Sequence, residues 1–156
     1  MQKMRSDPTD IRSFLRISDR ITTSGALREH DPQRLADIGV TRVINLAMDG
    51  HSDALPDAPA VMQAAGLAYT HIPIPFDAPT AQHYHAFVTA LEADNAPVHV
   101  HCIMNWRVSA FLYRWHREAC GMAEPEARSL LETIWSPHTS DDARAAPWRA
   151  FVNEVG

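Results

Sequence analysis

Between Thr41 and Phe111 the chain carries three short strand-like runs, Thr41–Leu46, Ala68–Ile74 and Pro97–His101, each followed by a segment of helical pattern. Such alternation leaves one economical arrangement, parallel strands joined by right-handed helical crossovers. The helices announce their own limits. Asp31-Pro32 supplies an N-cap and a first-turn proline ahead of Leu35 and Ile38, and Gly39 ends that helix. Val61–Ala65 is a short helix closed by Gly66, and Thr80 caps a helix whose Tyr84, Phe87, Val88 and Leu91 form one apolar stripe. Beyond the third strand, Val108, Phe111, Leu112 and Trp115 make a second stripe, and Ala127, Leu130, Leu131 and Ile134 a third. Trp148, Phe151 and Val152 suit a short closing helix, while Phe14–Ile17 and Ile21–Thr23 read as two short strands near the start. The expected fold is therefore α/β, a mainly parallel central sheet flanked by helices. It should form one domain over residues 1–156, with its core over about 14–135 and a helical closure over 136–156.

Composition narrows the function classes. No apolar run reaches the roughly 18–20 residues of a membrane helix, and MQKMRSDPTD lacks the apolar centre of an export leader, so a cytoplasmic protein away from membranes is expected. Cys102 and Cys120 are too few for a disulfide framework. The net charge is −5 with no block of basic residues, which gives no footprint for nucleic acid. An anion would have to be held locally, by a few well-placed donors.

One segment offers such donors: APVHVHCIMNWRVSAF, residues 96–111. A buried strand ends at His101, Cys102 follows at once, and a helix begins within about four residues. A loop running from a strand end into a helix N-terminus gathers backbone N–H groups and the positive end of the helix dipole. Both features stabilise a thiolate and cradle a tetrahedral anion. Asn105 suits the left-handed backbone such a loop needs, and Arg107 offers a planar fork for two oxygens of one phosphate. In a parallel sheet the loops after the strands share one edge, so Asp49, Asp77 and Cys102 should lie along it together. His99 and His101 point to one side of their strand and read as buried, hydrogen-bonded residues; no acidic residue at ligand spacing supports a metal.

These residues resemble the protein tyrosine and dual-specificity phosphatase superfamily, whose signature is His-Cys, five residues, Arg, then Ser or Thr. More narrowly, VINLA after the first crossover, a Pro-rich acidic turn and HC–N–RVSAF look like a small bacterial branch of it, from about Phe14 to Trp135. Only the four residues Ile103 to Trp106 separate Cys102 from Arg107, whereas Ser109 keeps the usual offset from the cysteine. Either the loop is shorter by one residue or the arginine is displaced by one on the same loop and helix. The resemblance implies a cysteinyl-phosphate mechanism without a metal or cofactor. Cys102 would be the nucleophile, Arg107 and the amides of Ile103, Met104, Asn105 and Trp106 would hold phosphate, and Asp77 in IPFDAPT would be the general acid. Asp49 and Asp53 are the rival acids. Ser109 would hydrogen-bond the sulfur, and His101 would fix the loop through its ring nitrogens. The implied partners are a phosphorylated protein or small molecule, and inorganic phosphate, sulfate or vanadate in the loop. Two other readings remain: a rhodanese-like sulfurtransferase, which also uses a shorter cysteine loop, and a phosphate- or phosphoprotein-binding module that has lost turnover.

Overall fold

The three strand-like runs do pair in parallel. In a computed structural model, which describes residues 6–154, the sheet has five strands: β1 (Leu15–Arg16), β2 (Ile21–Ser24), β3 (Arg42–Asn45), β4 (Ala68–His71) and β5 (Val98–His101). Their spatial order is β1-β2-β5-β3-β4, with β1 antiparallel to β2 and every other pair parallel. Residues 1–5, read above as lacking an apolar leader, lie outside the described residues. No helix among the described residues is long and apolar enough to cross a membrane.

Among the described residues six α-helices flank the sheet: α1 (Asp31–Asp37), α2 (Ala58–Ala64), α3 (Ala81–Leu91), α4 (Trp106–Glu118), α5 (Glu124–Ile134) and α6 (Ala146–Asn153), the last preceded by a 3-10 turn at Ala143–Ala145. Alternation along β3 divides the core. Val43 packs with Leu35, Val40, Met62 and Leu67 under α1 and α2, and Ile44 faces the larger cluster of Phe87, Val108, Phe111, Leu131 and Trp148 under the other helices. The stripes read from the sequence bury Tyr84, Phe87 and Leu91 on α3 and Val108, Phe111 and Leu112 on α4. Truncating a fully buried ring such as Phe111 to Ala costs about 3–5 kcal/mol.

Helix α2 begins at Ala58 rather than Val61, and two further details differ from expectation. Asp31 is the first helical residue of α1 rather than its cap; its buried carboxylate accepts from the Arg28 amide at 2.8 Å and from Arg34 Nη1 at 2.9 Å. The strand expected over Ala68–Ile74 ends at His71, because Pro73 and Pro75 have no amide to donate to a ladder. Thr80 caps α3 as expected, accepting from the His83 amide while the His83 ring accepts from Thr80 N–H.

Candidate active site

Because β3, β4 and β5 run parallel, the segments that leave them emerge on one edge, and the Cys102 loop sits in their midst. β5 lies between β2 and β3, so the loop inherits the position of the best-supported strand in the sheet. Cys102 is buried, 1% exposed, while Met104 two residues on is 43% exposed. Asn105 holds φ 65°, the left-handed conformation, and α4 begins at Trp106 directly after it. The Asn105 side chain ties the loop down, donating from Nδ2 to Ser13 O at 2.9 Å and to Thr23 Oγ1 at 3.0 Å. Neighbouring carbonyls and amides complete the frame: Leu46 N–H donates to His101 O at 2.8 Å, and Ala26 N–H to Ile103 O at 2.9 Å.

The two strand histidines are buried on one side of β5, with Phe14 stacked on the His99 ring. His99 Nδ1 meets Thr22 Oγ1 at 2.8 Å and Nε2 meets Ser24 Oγ at 2.8 Å. Ser24 Oγ donates to Gly25 O, so the His99 proton must be on Nε2 and Nδ1 must accept from Thr22. Burial lowers the pKa of His99 well below its ordinary value. His101 Nδ1 lies 3.4 Å from Cys102 O, while its Nε2 is buried without a partner among the described residues. Thus one ring nitrogen of His101, not both, holds the loop, and burial brings its pKa down to about 4.

Arg107 takes a position the sequence did not disclose. It sits in the first turn of α4, buried, with Nη1 donating to Ile74 O at 2.8 Å and its guanidinium 5.6 Å from the Phe76 ring centre. Its Nε is buried without a partner among the described residues. The arginine therefore joins the cysteine loop to the β4–α3 loop that carries Asp77. Val108, six residues after Cys102, is buried in the core. Ser109 differs from expectation: its hydroxyl donates to Trp106 O at 3.2 Å, the back-bond a serine makes within a helix, rather than to sulfur.

The three candidate acids lie in the segments that leave this edge. Asp77 is exposed in a turn next to Phe76. Asp53 pairs with Arg12 at 3.1 Å, and the side chain of Asp49 is 93% exposed, 3.9 Å from His71 Nδ1. His71 Nε2 donates to Ala47 O at 2.6 Å. The Asp77 loop is firmly anchored: Trp148 Nε1 donates to Phe76 O at 2.7 Å, and the Phe76 ring packs on Trp106 and Trp148. Trp106 itself stacks on Trp135 with ring centres 4.5 Å apart and planes within 1°. Its indole thus belongs to this aromatic wall of the site. Arg144 lies over both Phe76 and Trp106 and grips Asp142, whose carboxyl it holds down at about 2.

Several contributors were missed from sequence: Ser13, Thr23, Gly25 and Ala26 beneath the loop, and Trp135 and Trp148 beside it. Gly25, directly after a strand, carried the one usable signal, since a glycine there often marks a close backbone approach. No group of three His, Cys, Asp or Glu side chains placed to hold a metal occurs among the described residues.

Comparison with known proteins places this geometry. The family model described as "Beta-lactamase hydrolase-like protein, phosphatase-like domain" matches residues 13–116, which include every strand and the cysteine loop. A protein from Shewanella putrefaciens CN-32 described as a candidate phosphatase (DUF442) is 28% identical, with 94% of this chain and 92% of that chain covered and a TM-score of 0.80. TpbA of P. aeruginosa, solved in complex with pTyr, is 18% identical over 97% and 88% of the two chains, with a TM-score of 0.73. PTPMT1, solved in complex with PI(5)P, is 19% identical over 91% and 96%, with a TM-score of 0.69. The last two show a shared fold. No curated protein matches the chain. With more than half of its length matched, and with its fold shared with TpbA and PTPMT1, the chain belongs to the phosphatase-like domain family of beta-lactamase hydrolase-like proteins.

Proposed function

We propose that the protein is a phosphomonoester hydrolase that works through Cys102. The observation that carries this reading is the seat of Cys102: at the end of a central parallel strand, followed by a left-handed Asn105 and the N-terminus of a 13-residue helix. Backbone amides and a helix dipole converge there on one point, which favours both a thiolate and a bound oxyanion. The buried Nε–H of Arg107, which has no partner among the described residues, supports it, because an oxyanion is the natural acceptor for such a donor.

In the proposed chemistry the Cys102 thiolate attacks phosphorus in line, forming the S–P bond as the P–O bond to the leaving group breaks. Asp77, protonated, gives its proton to the departing oxygen. Water then attacks phosphorus, the Asp77 carboxylate takes its proton, and the S–P bond breaks to return thiolate and inorganic phosphate. Arg107 and the loop amides stabilise charge on the equatorial oxygens in both steps. The substrate class is a phosphorylated protein or small molecule; the neighbours solved with pTyr and PI(5)P belong to that range.

Hydrolysis of an aryl phosphate between about pH 5 and 7.5 tests the reading. Cys102→Ser should abolish turnover, Asp77→Asn should reduce it by roughly 10²–10⁴-fold, and vanadate should compete. A Cys102→Ser protein as active as wild type would sink the proposal. One observation favours a second reading: Arg107 Nη1 is engaged with Ile74 O, which suits a module that binds phosphate without turning it over. Phosphate or vanadate binding with no hydrolysis by the wild type would select that alternative.

A further inference from the structure

The Ile103–Met104 peptide is held from outside the loop. Ile103 O accepts from Ala26 N–H at 2.9 Å and lies 3.4 Å from Arg12 Nη1. Gly25 sits so close that a Cβ built on it would stand 2.5 Å from Ile103 O and 3.1 Å from Arg12 Cγ and Cδ. A side chain here would have to push the Ile103 carbonyl away; the constraint is one of space, since the φ of Gly25 is not in the left-handed range. Gly25 N–H donates in turn to Arg12 O at 2.7 Å, and Arg12 Nη1 pairs with Asp53. Segments 12–13 and 23–26, together with the side chain of Asn105, thus form a brace along one flank of the cysteine loop.

A trans peptide is planar, and its C=O and N–H point in opposite directions. Fixing Ile103 O toward Gly25 and Ala26 therefore aims Met104 N–H the other way, away from the brace. We propose that Gly25, Ala26 N–H and Arg12 are a positioning clamp. They set the Ile103–Met104 peptide so that Met104 N–H faces the Cys102 sulfur and the anion it attacks. Gly25 and Arg12 touch neither substrate nor sulfur; they act through the peptide. If the peptide turned over, a carbonyl oxygen would replace the amide beside the thiolate and the phosphate, converting a stabilising dipole into a repelling one. The proposal rests on the anion-loop reading of Cys102.

Its test uses Gly25→Ala, Arg12→Met and Arg12→Lys beside the wild type. The readouts are thermal melting, the inhibition constant of inorganic phosphate, aryl phosphate turnover, and the pH midpoint of the Cys102 thiolate absorbance, taken as a difference against Cys102→Ser. Gly25→Ala should melt as a folded protein, bind phosphate at least about tenfold more weakly and lose roughly 10²-fold in kcat, the scale of one lost donor. Its thiolate midpoint should move to higher pH. Arg12→Met should move phosphate affinity and midpoint the same way by a smaller factor, about threefold, with Arg12→Lys restoring them in part. An unchanged phosphate constant and thiolate midpoint in folded Gly25→Ala overturn the clamp; if that variant does not fold, unchanged values in Arg12→Met do so. A wild type that binds phosphate without hydrolysing the ester, with binding still lost in Gly25→Ala, keeps the clamp and removes the phosphatase reading. A wild type that binds no phosphate removes both.

Discussion

At the scale of single residues, the cysteine loop is held by side chains that each perform one geometric task. Asn105 provides the left-handed turn and two hydrogen bonds to the segments beneath it. Asn105→Gly should keep the backbone but lose the bonds, while Asn105→Ala should lose both and strain φ as well. Urea unfolding should therefore rank wild type above Gly above Ala, with the Ala variant lower by about 1–3 kcal/mol. Arg107 offers a sharper contrast. Its Nη1–H bond to Ile74 O and its buried Nε require a guanidinium, so Arg107→Lys should weaken both the tie to the Asp77 loop and any hold on an oxyanion. Lysine keeps the charge and cannot form the fork. Aryl phosphate kinetics should show this as a loss of kcat of about tenfold or more rather than a change of KM alone. Ser109 shows a limit of reading roles by offset, because its hydroxyl proton goes to Trp106 O within the helix.

At the scale of elements, the decisive contacts join parts far apart in the chain. The β4–α3 loop with Asp77 is pinned from α6 by Trp148 Nε1 on Phe76 O and from α4 by Arg107. Trp148 is fully buried, so Trp148→Phe keeps most of the packing while leaving Phe76 O without its donor. We expect a stability loss of about 1–3 kcal/mol in thermal or urea unfolding. Limited proteolysis between Phe76 and Thr80 should become faster, since that turn would open more readily. No increase in cleavage there would show that the ring packing and the Arg107 bond anchor the loop without the indole N–H. Helix α6 is thus more than a closing cap: through one indole it reaches the segment proposed to carry the acid.

At the scale of the whole molecule, the sheet buries two histidines whose protonation the fold opposes. Burial lowers His99 well below 6.5 and His101 to about 4. The unfolded chain binds a proton at each near 6.5, so it takes up protons before the native state does as pH falls. The stability these neutral rings allow is complete above about pH 6.5 and is lost progressively as pH falls toward 4. The slope can reach about 1.4 kcal/mol per pH unit for each proton taken up. Urea titrations at several pH values should show this fall. A flat profile from pH 6.5 to 4 would contradict the burial of both rings.

The architecture was legible in the chain because periodicity and punctuation are local. Thr41–Leu46, Pro97–His101, the stripes of α3 and α4, and Gly39, Gly66 and Thr80 each signal their element through nearest neighbours. Cys102 and Asn105 were legible for the same reason, since a strand end, a thiol, a left-handed residue and a helix start follow one another within a few positions. What the sequence could not decide was which distant backbone each polar group would meet. The turn of Arg107 toward Ile74 O, the seat of Ile103 O against Gly25 and the Trp148 bond to Phe76 O all join segments that only the strand order β1-β2-β5-β3-β4 brings together. Hydrophobic patterning sets the faces of elements, but it carries no record of the partners those faces will find. The strand-to-helix loop of Cys102 was therefore determined locally, and the geometry that holds it came from tertiary packing.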